Sequence, residues 1–372
     1  MPMIPPLHAR SSFRILAIGV AAATVLSAGT AAAQTEHETL TGRDISVYNL
    51  AGRITVERGT GSDVTVDVTR GGRDAAKLKI VSSQLRGRNA LRVLYPAGDD
   101  VVYDGSARER GWGNSTDVRV DADGTWGGGD RGRQRDRDGR RVRVKTRGSG
   151  TEAWADLTIR VPAGKSVAVY LAAGELLASG VDSDLRLDVS AARVTATSTR
   201  GRLDIDAGSG AVDVRDAVVS DLKVDNGSGG VRVTDVTSER CAIDVGSGGV
   251  VGMGVRCGTL SIDAGSGTVR LEGVASSDVN VDTGSGGVNL LFTTSPKRLI
   301  VDAGSGSVTI ALPSTLGAEV DIETGSGGIT SDFAIKTTRV ARNELRGTIG
   351  DGSARIRIES GSGTVRLRKS AN

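Results

Sequence analysis

Residues 241–252 read Cys-Ala-Ile-Asp-Val-Gly-Ser-Gly-Gly-Val-Val-Gly, and 19 positions on, residues 260–271 read Leu-Ser-Ile-Asp-Ala-Gly-Ser-Gly-Thr-Val-Arg-Leu. The triplet Gly-Ser-Gly begins at Gly208, Gly227, Gly246, Gly265, Gly284, Gly304, Gly325 and Gly361, at intervals of 19, 19, 19, 19, 20, 21 and 36, the last close to two degenerate periods. Five residues before it stand Leu203, Leu222, Cys241, Leu260, Val279, Leu299 and Val320. Three before stand Ile205, Val224, Ile243, Ile262, Val281, Val301 and Ile322, and four after stand Val212, Val231, Val250, Val269, Val288, Val308 and Ile329. Alternation on both sides of a corner is the signature of short strands with one buried face. Glycine at the corner is expected to supply positive φ.

Equal-length units whose apolar positions recur in one order stack as successive turns of a parallel coil, each residue about 4.8 Å above its counterpart. The expected fold is all-β, a parallel β-solenoid with coils of about 19 residues, right-handed by the crossover preference of parallel strands. The template also fits Val167, Val169, Leu171 and Leu176, then Leu185, Leu187, Val189 and Val194. Near the start it fits Ile45, Val47, Ile54 and Val56, with Val64, Val66 and Val68 as the following unit.

Composition agrees with a narrow aliphatic core: 53 of 372 residues are glycine and only 3% are aromatic. The only histidines are His8 and His37, which excludes multi-histidine metal sites and leaves a catalytic triad nothing but His37 to use. Residues 1–33 read as a signal peptide. Arg10 and Arg14 precede an apolar run from Ile15 to about Leu26, and Ala31-Ala32-Ala33 offers a cleavage site. The run is too short for a membrane anchor, so no transmembrane span is expected in the mature chain. Formal charge is +3 for the whole chain, so bulk charge selects no partner and nothing points to specific nucleic-acid binding. Export permits a disulfide between Cys241 and Cys257; two small buried thiols are the alternative.

The expected organisation is a leader at 1–33, an N-terminal cap and first coils at 34–97, an insertion loop at 98–150, the repeat domain at 151–368 and a tail at 369–372. The insertion is rich in Arg, Gly and Asp and reads as disordered. Its Trp112, Trp126, Arg133, Arg135, Arg137, Arg140 and Arg141 are the candidate ligand-binding residues, of a kind that grips anionic glycan or lipid phosphate.

Ile45-Ser-Val-Tyr-Asn-Leu-Ala-Gly-Arg-Ile-Thr-Val, Leu157-Thr-Ile-Arg-Val-Pro-Ala-Gly and the Gly-Ser-Gly-Gly-Val repeats together resemble a bacterial family of β-strand-repeat proteins. That family is provisionally labelled adhesin and catalogued as a domain of unknown function. The resemblance covers about residues 38–97 and 142–368. It implies a cell-envelope β-solenoid with no established catalytic residues.

Two residues before each corner stands an acid, including Asp206, Asp225, Asp244, Asp263, Asp282 and Asp302, and alternation points these outward. As a column they are candidate ligands for a cation such as Ca²⁺, the one cofactor the chain suggests. The alternative is local, each Asp accepting backbone N–H groups of its own corner. The serine column reads as corner hydrogen bonding, because no base accompanies each serine. The functional expectation is a non-enzymatic, exported scaffold or binding protein of the envelope, periplasmic, secreted or at the cell surface, with an anionic glycan or a protein as partner. The competing expectation is a carbohydrate-active β-helix acting on acidic polysaccharide.

Overall fold

The computed structural model describes residues 35–98, 100–103, 115–127 and 139–370. The leader at 1–33 lies outside these residues, as do Trp112, Arg133, Arg135 and Arg137. Among the described residues the chain is all-β apart from one 3₁₀ turn, Ala75–Lys77.

Parallel, in-register pairing builds the stack. Ile243 lies opposite Ile262, and Ile262 opposite Val281. One column runs Ile45, Val167, Leu185, Leu203, Leu222, Cys241, Leu260, Val279 and Leu299 without a break. These side chains are buried, each stabilising the fold by about 1.5–3 kcal/mol relative to exposure for the Val and Leu members. The strand Val231–Val245 shows why the sequence reads so clearly: its residues alternate between core and solvent over almost its whole length.

Three departures from serial stacking define the ends. Val64, Val66 and Val68 are not the second coil. Their strand, Val64–Gly71, pairs antiparallel with Thr35–Leu40 and with Trp154–Val161. The strand Ser166–Ser179 instead lies directly on Asp44–Arg58. On the other side of Asp44–Arg58, Arg88–Leu94 covers the first half and Trp154–Val161 the second. At the far end, Ala354–Ser360 sits between Arg298–Ala303 and Ala318–Thr324, so the last strands of the chain are not the last rung. Glu344–Ile349 then pairs antiparallel with Ala318–Thr324 and closes that end, with Lys336–Ala341 outside it.

The insertion is partly ordered, which corrects the expectation of a loop throughout 98–150. Ser115–Val120 pairs antiparallel with Arg140–Lys145, and Val101–Val102 and Thr151–Glu152 complete a four-stranded sheet. Val118, Val120, Val142 and Val144 are buried. Their period of two is the ordinary strand pattern, masked in the sequence by the arginines and aspartates that fill the alternate positions.

Candidate functional site

The acids before the corners form one ladder. Pairing places Asp188, Asp206, Asp225, Asp244, Asp263, Asp282 and Asp302 side by side, followed by Glu359 and then Glu323. The ends carry compensating charge. Arg186 reaches Asp204 at 2.8 Å, Asp206 at 3.6 Å and Asp188 at 3.7 Å, while Arg357 pairs with Glu359 and Arg346 with Glu323. Between them, Asp225, Asp244, Asp263, Asp282 and Asp302 have no ion pair among the described residues. Partial burial and then the carboxylate of Asp225 push the Asp206 carboxyl above its ordinary value. The same holds for Asp244, by burial and then Asp225 and Asp263, and for Asp282, by burial and then Asp302 and Asp263. At the Glu323 end the ladder borders a cavity of about 560 Å³ whose walls include Asp302, Glu359, Arg339 and Arg346.

Among the described residues no three His, Cys, Asp or Glu side chains converge as a cation site would require; a one-dimensional ladder presents carboxylates in a line. The local alternative is not what these aspartates do: among the described residues none of the six accepts a corner N–H. At three corners that work falls to the residue immediately before the triplet. Gly229 N–H donates to Asn226 Oδ1 at 3.0 Å, Gly286 N–H to Thr283 Oγ1 at 3.1 Å and Gly363 N–H to Ser360 Oγ at 3.0 Å. These three residues are buried. Their polar identity, visible together with that of Thr324 in a column otherwise made of Ala and Val, was the available signal.

The expected positive φ at the corner holds at Gly52, Gly174 and Gly210. It is not kept at Gly229, Gly248 or Gly267, and it also occurs at the second bend, at Asp216, Asp235, Gly254 and Gly273. At the later corners glycine is required for close approach. A Cβ on Gly267 would stand 1.9 Å from the carbonyl oxygen of Gly248.

The disulfide joins Cys241 and Cys257, with Sγ–Sγ 1.99 Å and Cα–Cα 6.0 Å, and links the strands Val231–Val245 and Val250–Ala264 across the core. In the insertion, Trp126 is no ligand platform. It is 6% exposed and packs edge-on against Tyr170 at 6.1 Å, which stacks on Tyr48 at 4.3 Å. Arg141 pairs with Asp117 at 2.7 Å, and Arg143 joins the same carboxylate at 3.1 Å. Arg140 is half-buried beside Val120, its cross-strand partner.

In-register parallel strands, a small-aliphatic core and a repeated outer surface define a β-solenoid-like repeat protein. The chain belongs to the Toastrack family, DUF4097, a domain of unknown function that matches residues 115–368. No curated protein matches it. A structure solved at 1.95 Å from Clostridium sporogenes ATCC 15579, provisionally named a cell adhesion protein, is 11% identical. That match covers 91% of this chain and 100% of that one with a TM-score of 0.22, a level of similarity on which nothing further rests.

Proposed function

We propose that this chain is an exported, non-enzymatic binding scaffold of the bacterial cell envelope, a right-handed solenoid with coils of about 19 residues that offers its outer faces to a partner. One observation supports this reading above the others: the polar outer groups repeat from rung to rung. Asp225, Asp244, Asp263 and Asp282 have near-equivalent surroundings, whereas general acid–base chemistry needs groups whose environments push their pKa values apart at one place. A repeated face suits an extended partner, gripped by many weak equivalent contacts. The Arg-rich insertion is the element that breaks the repeat, and it favours an anionic glycan or lipid phosphate.

Cell fractionation with crosslinking tests the location, and binding to lipopolysaccharide and heparin tests the partner class. Deleting residues 128–138 removes Arg131, Arg133, Arg135 and Arg137 and none of the residues of the paired strands. Binding lost in that variant supports the reading, and unchanged binding removes the insertion from it. Release of unsaturated sugars from polyuronates by the purified chain would establish the competing carbohydrate-active reading instead.

A further inference from the structure

The insertion sheet and the N-terminal cap enclose a groove of about 340 Å³. One wall is the end of the strand Arg88–Leu94 and the residues after it, contributing Val93, Leu94 and Tyr95; Leu50 forms the floor. The other wall is the end of the Ser115–Val120 and Arg140–Lys145 pair, contributing Val120 and Arg140. Leu50, Val93, Tyr95 and Val120 are each less than a tenth exposed. The Tyr95 hydroxyl donates to Asn49 Oδ1 at 2.9 Å, so the ring is what the side chain offers the groove.

The charges at the groove are unequal. Asp121, the acid in the lining, is held by Arg86 at 3.1 Å and accepts the Thr125 hydroxyl at 3.3 Å. Arg140 has no ion-pair partner among the described residues. An apolar slot with one uncompensated guanidinium at its edge has the make-up of a small-molecule site, in which apolar walls supply affinity and a few polar groups fix orientation. A guanidinium matches a carboxylate in a bidentate fork.

We propose that this groove binds a medium-chain fatty-acid carboxylate, its alkyl chain between Leu50, Val93, Leu94 and Val120 and its head group on Arg140. The volume holds about eleven groups the size of a water molecule, which suits an acyl chain near the length of decanoate. The proposal does not rest on the envelope-scaffold reading, because none of these groove residues belongs to the repeated outer face.

The test is titration of the purified chain with decanoate, followed by calorimetry, beside decanol and decyltrimethylammonium. Saturable binding of one decanoate per chain is expected, with the neutral and cationic probes at least about tenfold weaker. Arg140→Gln is expected to weaken decanoate by about tenfold or more. Ala97→Trp, which fills the rim of the groove from an exposed position, is expected to abolish binding while the circular dichroism spectrum is unchanged. Absence of saturable decanoate binding overturns the proposal. Equal binding of the cationic or neutral probe overturns the role of Arg140, and binding that survives Ala97→Trp overturns the location.

Discussion

A Cβ placed on Gly248 would stand 2.0 Å from the carbonyl oxygen of Gly229, one rung away. The obstacle is backbone, which cannot rotate aside as a side chain does. The same relationship repeats at Gly267 and Gly286, at 1.9 and 1.8 Å. Gly248→Ala is therefore expected to cost about 3 kcal/mol, the upper part of the overpacking range. Ala at Gly249, whose nearest neighbour would be 3.1 Å away, should cost visibly less. Paired urea melts of the two variants measure the difference, and equal costs would contradict the close-approach explanation.

The Cys241–Cys257 bridge closes a span of 16 residues. A loop of that size is worth about 3 kcal/mol in the chain-entropy view. Both sulfurs are buried, each residue being 2% exposed, so reduction should require partial opening of the stack. Replacing both cysteines by alanine should lower stability by about 2–4 kcal/mol, read from the denaturation midpoint. Reductant should leave the midpoint of the alanine variant where it is while lowering that of the parent.

The aspartate ladder sets a pH dependence whose sign can be worked out. Asp206, Asp244 and Asp282 have carboxyls raised above the ordinary value, so the folded chain binds their protons more tightly than the unfolded chain. Stability should therefore rise as pH falls through those raised values toward the ordinary carboxylate value, about 3.9. Lower still, the effect reverses. Asp67, held down by His37 and then Arg160, and Asp117, held down by Arg141, lose their stabilising charge on protonation. Thermal melts across mildly acidic pH should show a maximum there, and a monotonic fall on acidification would contradict it.

Asp244→Asn isolates the ladder's own contribution. Each neighbouring carboxylate at a strand spacing of about 4.8 Å repels by about 0.9 kcal/mol in water before salt screening. With Asp225 on one side and Asp263 on the other, removing the charge should stabilise the fold by up to about 2 kcal/mol at low ionic strength, and by much less near 1 M salt, where the Debye length is about 3 Å. A gain that ignores salt would point to packing instead.

Period and register were legible in the sequence because local alternation dictates which face is buried, and equal spacing dictates what lies over what. Ile243, Ile262 and Val281 follow from that directly. The order of rungs was not legible. Ile356 carries the same alternation as Val320, and nothing local distinguishes the strand that goes inside the stack from the one that caps it. Val64 likewise satisfies the template but pairs antiparallel with Leu40, because a short hairpin-like return competes with another parallel turn. At the site, the acid column was visible, but the groove beside Arg140 was not, since Leu50, Val93 and Val120 are brought together from three separate stretches of chain.

Trp126 tests whether the insertion is anchored or merely attached. Its ring meets Tyr170, and Tyr170 meets Tyr48 from the first long strand. Trp126→Ala should cost about 3–5 kcal/mol as a buried large-to-small change. It should also remove near-ultraviolet dichroism from the aromatic stack. A cost near zero would mean that the tryptophan is free to serve a ligand.

Ile356 stands between Leu299 on one side and Val320 on the other. Among the described residues, the strand Ala318–Thr324 has no pairing to the stack except through Ala354–Ser360, and Ile329–Ser331 has none except through Val365–Lys369. The closing hairpin is therefore held on by residues that come after it in the chain. Ile356→Ala should cost about 2–5 kcal/mol and, beyond that, expose residues 318–349 to protease at concentrations that leave the central rungs intact. Ile262→Ala, at the same column position as Ile243 and Val281, should cost a similar amount without that selective cleavage, because rungs on both sides remain joined by covalent chain. Limited proteolysis with mass mapping distinguishes the two. If Ile356→Ala leaves the 318–349 segment as resistant as in the parent, the closing hairpin is secured by something other than the inserted strand.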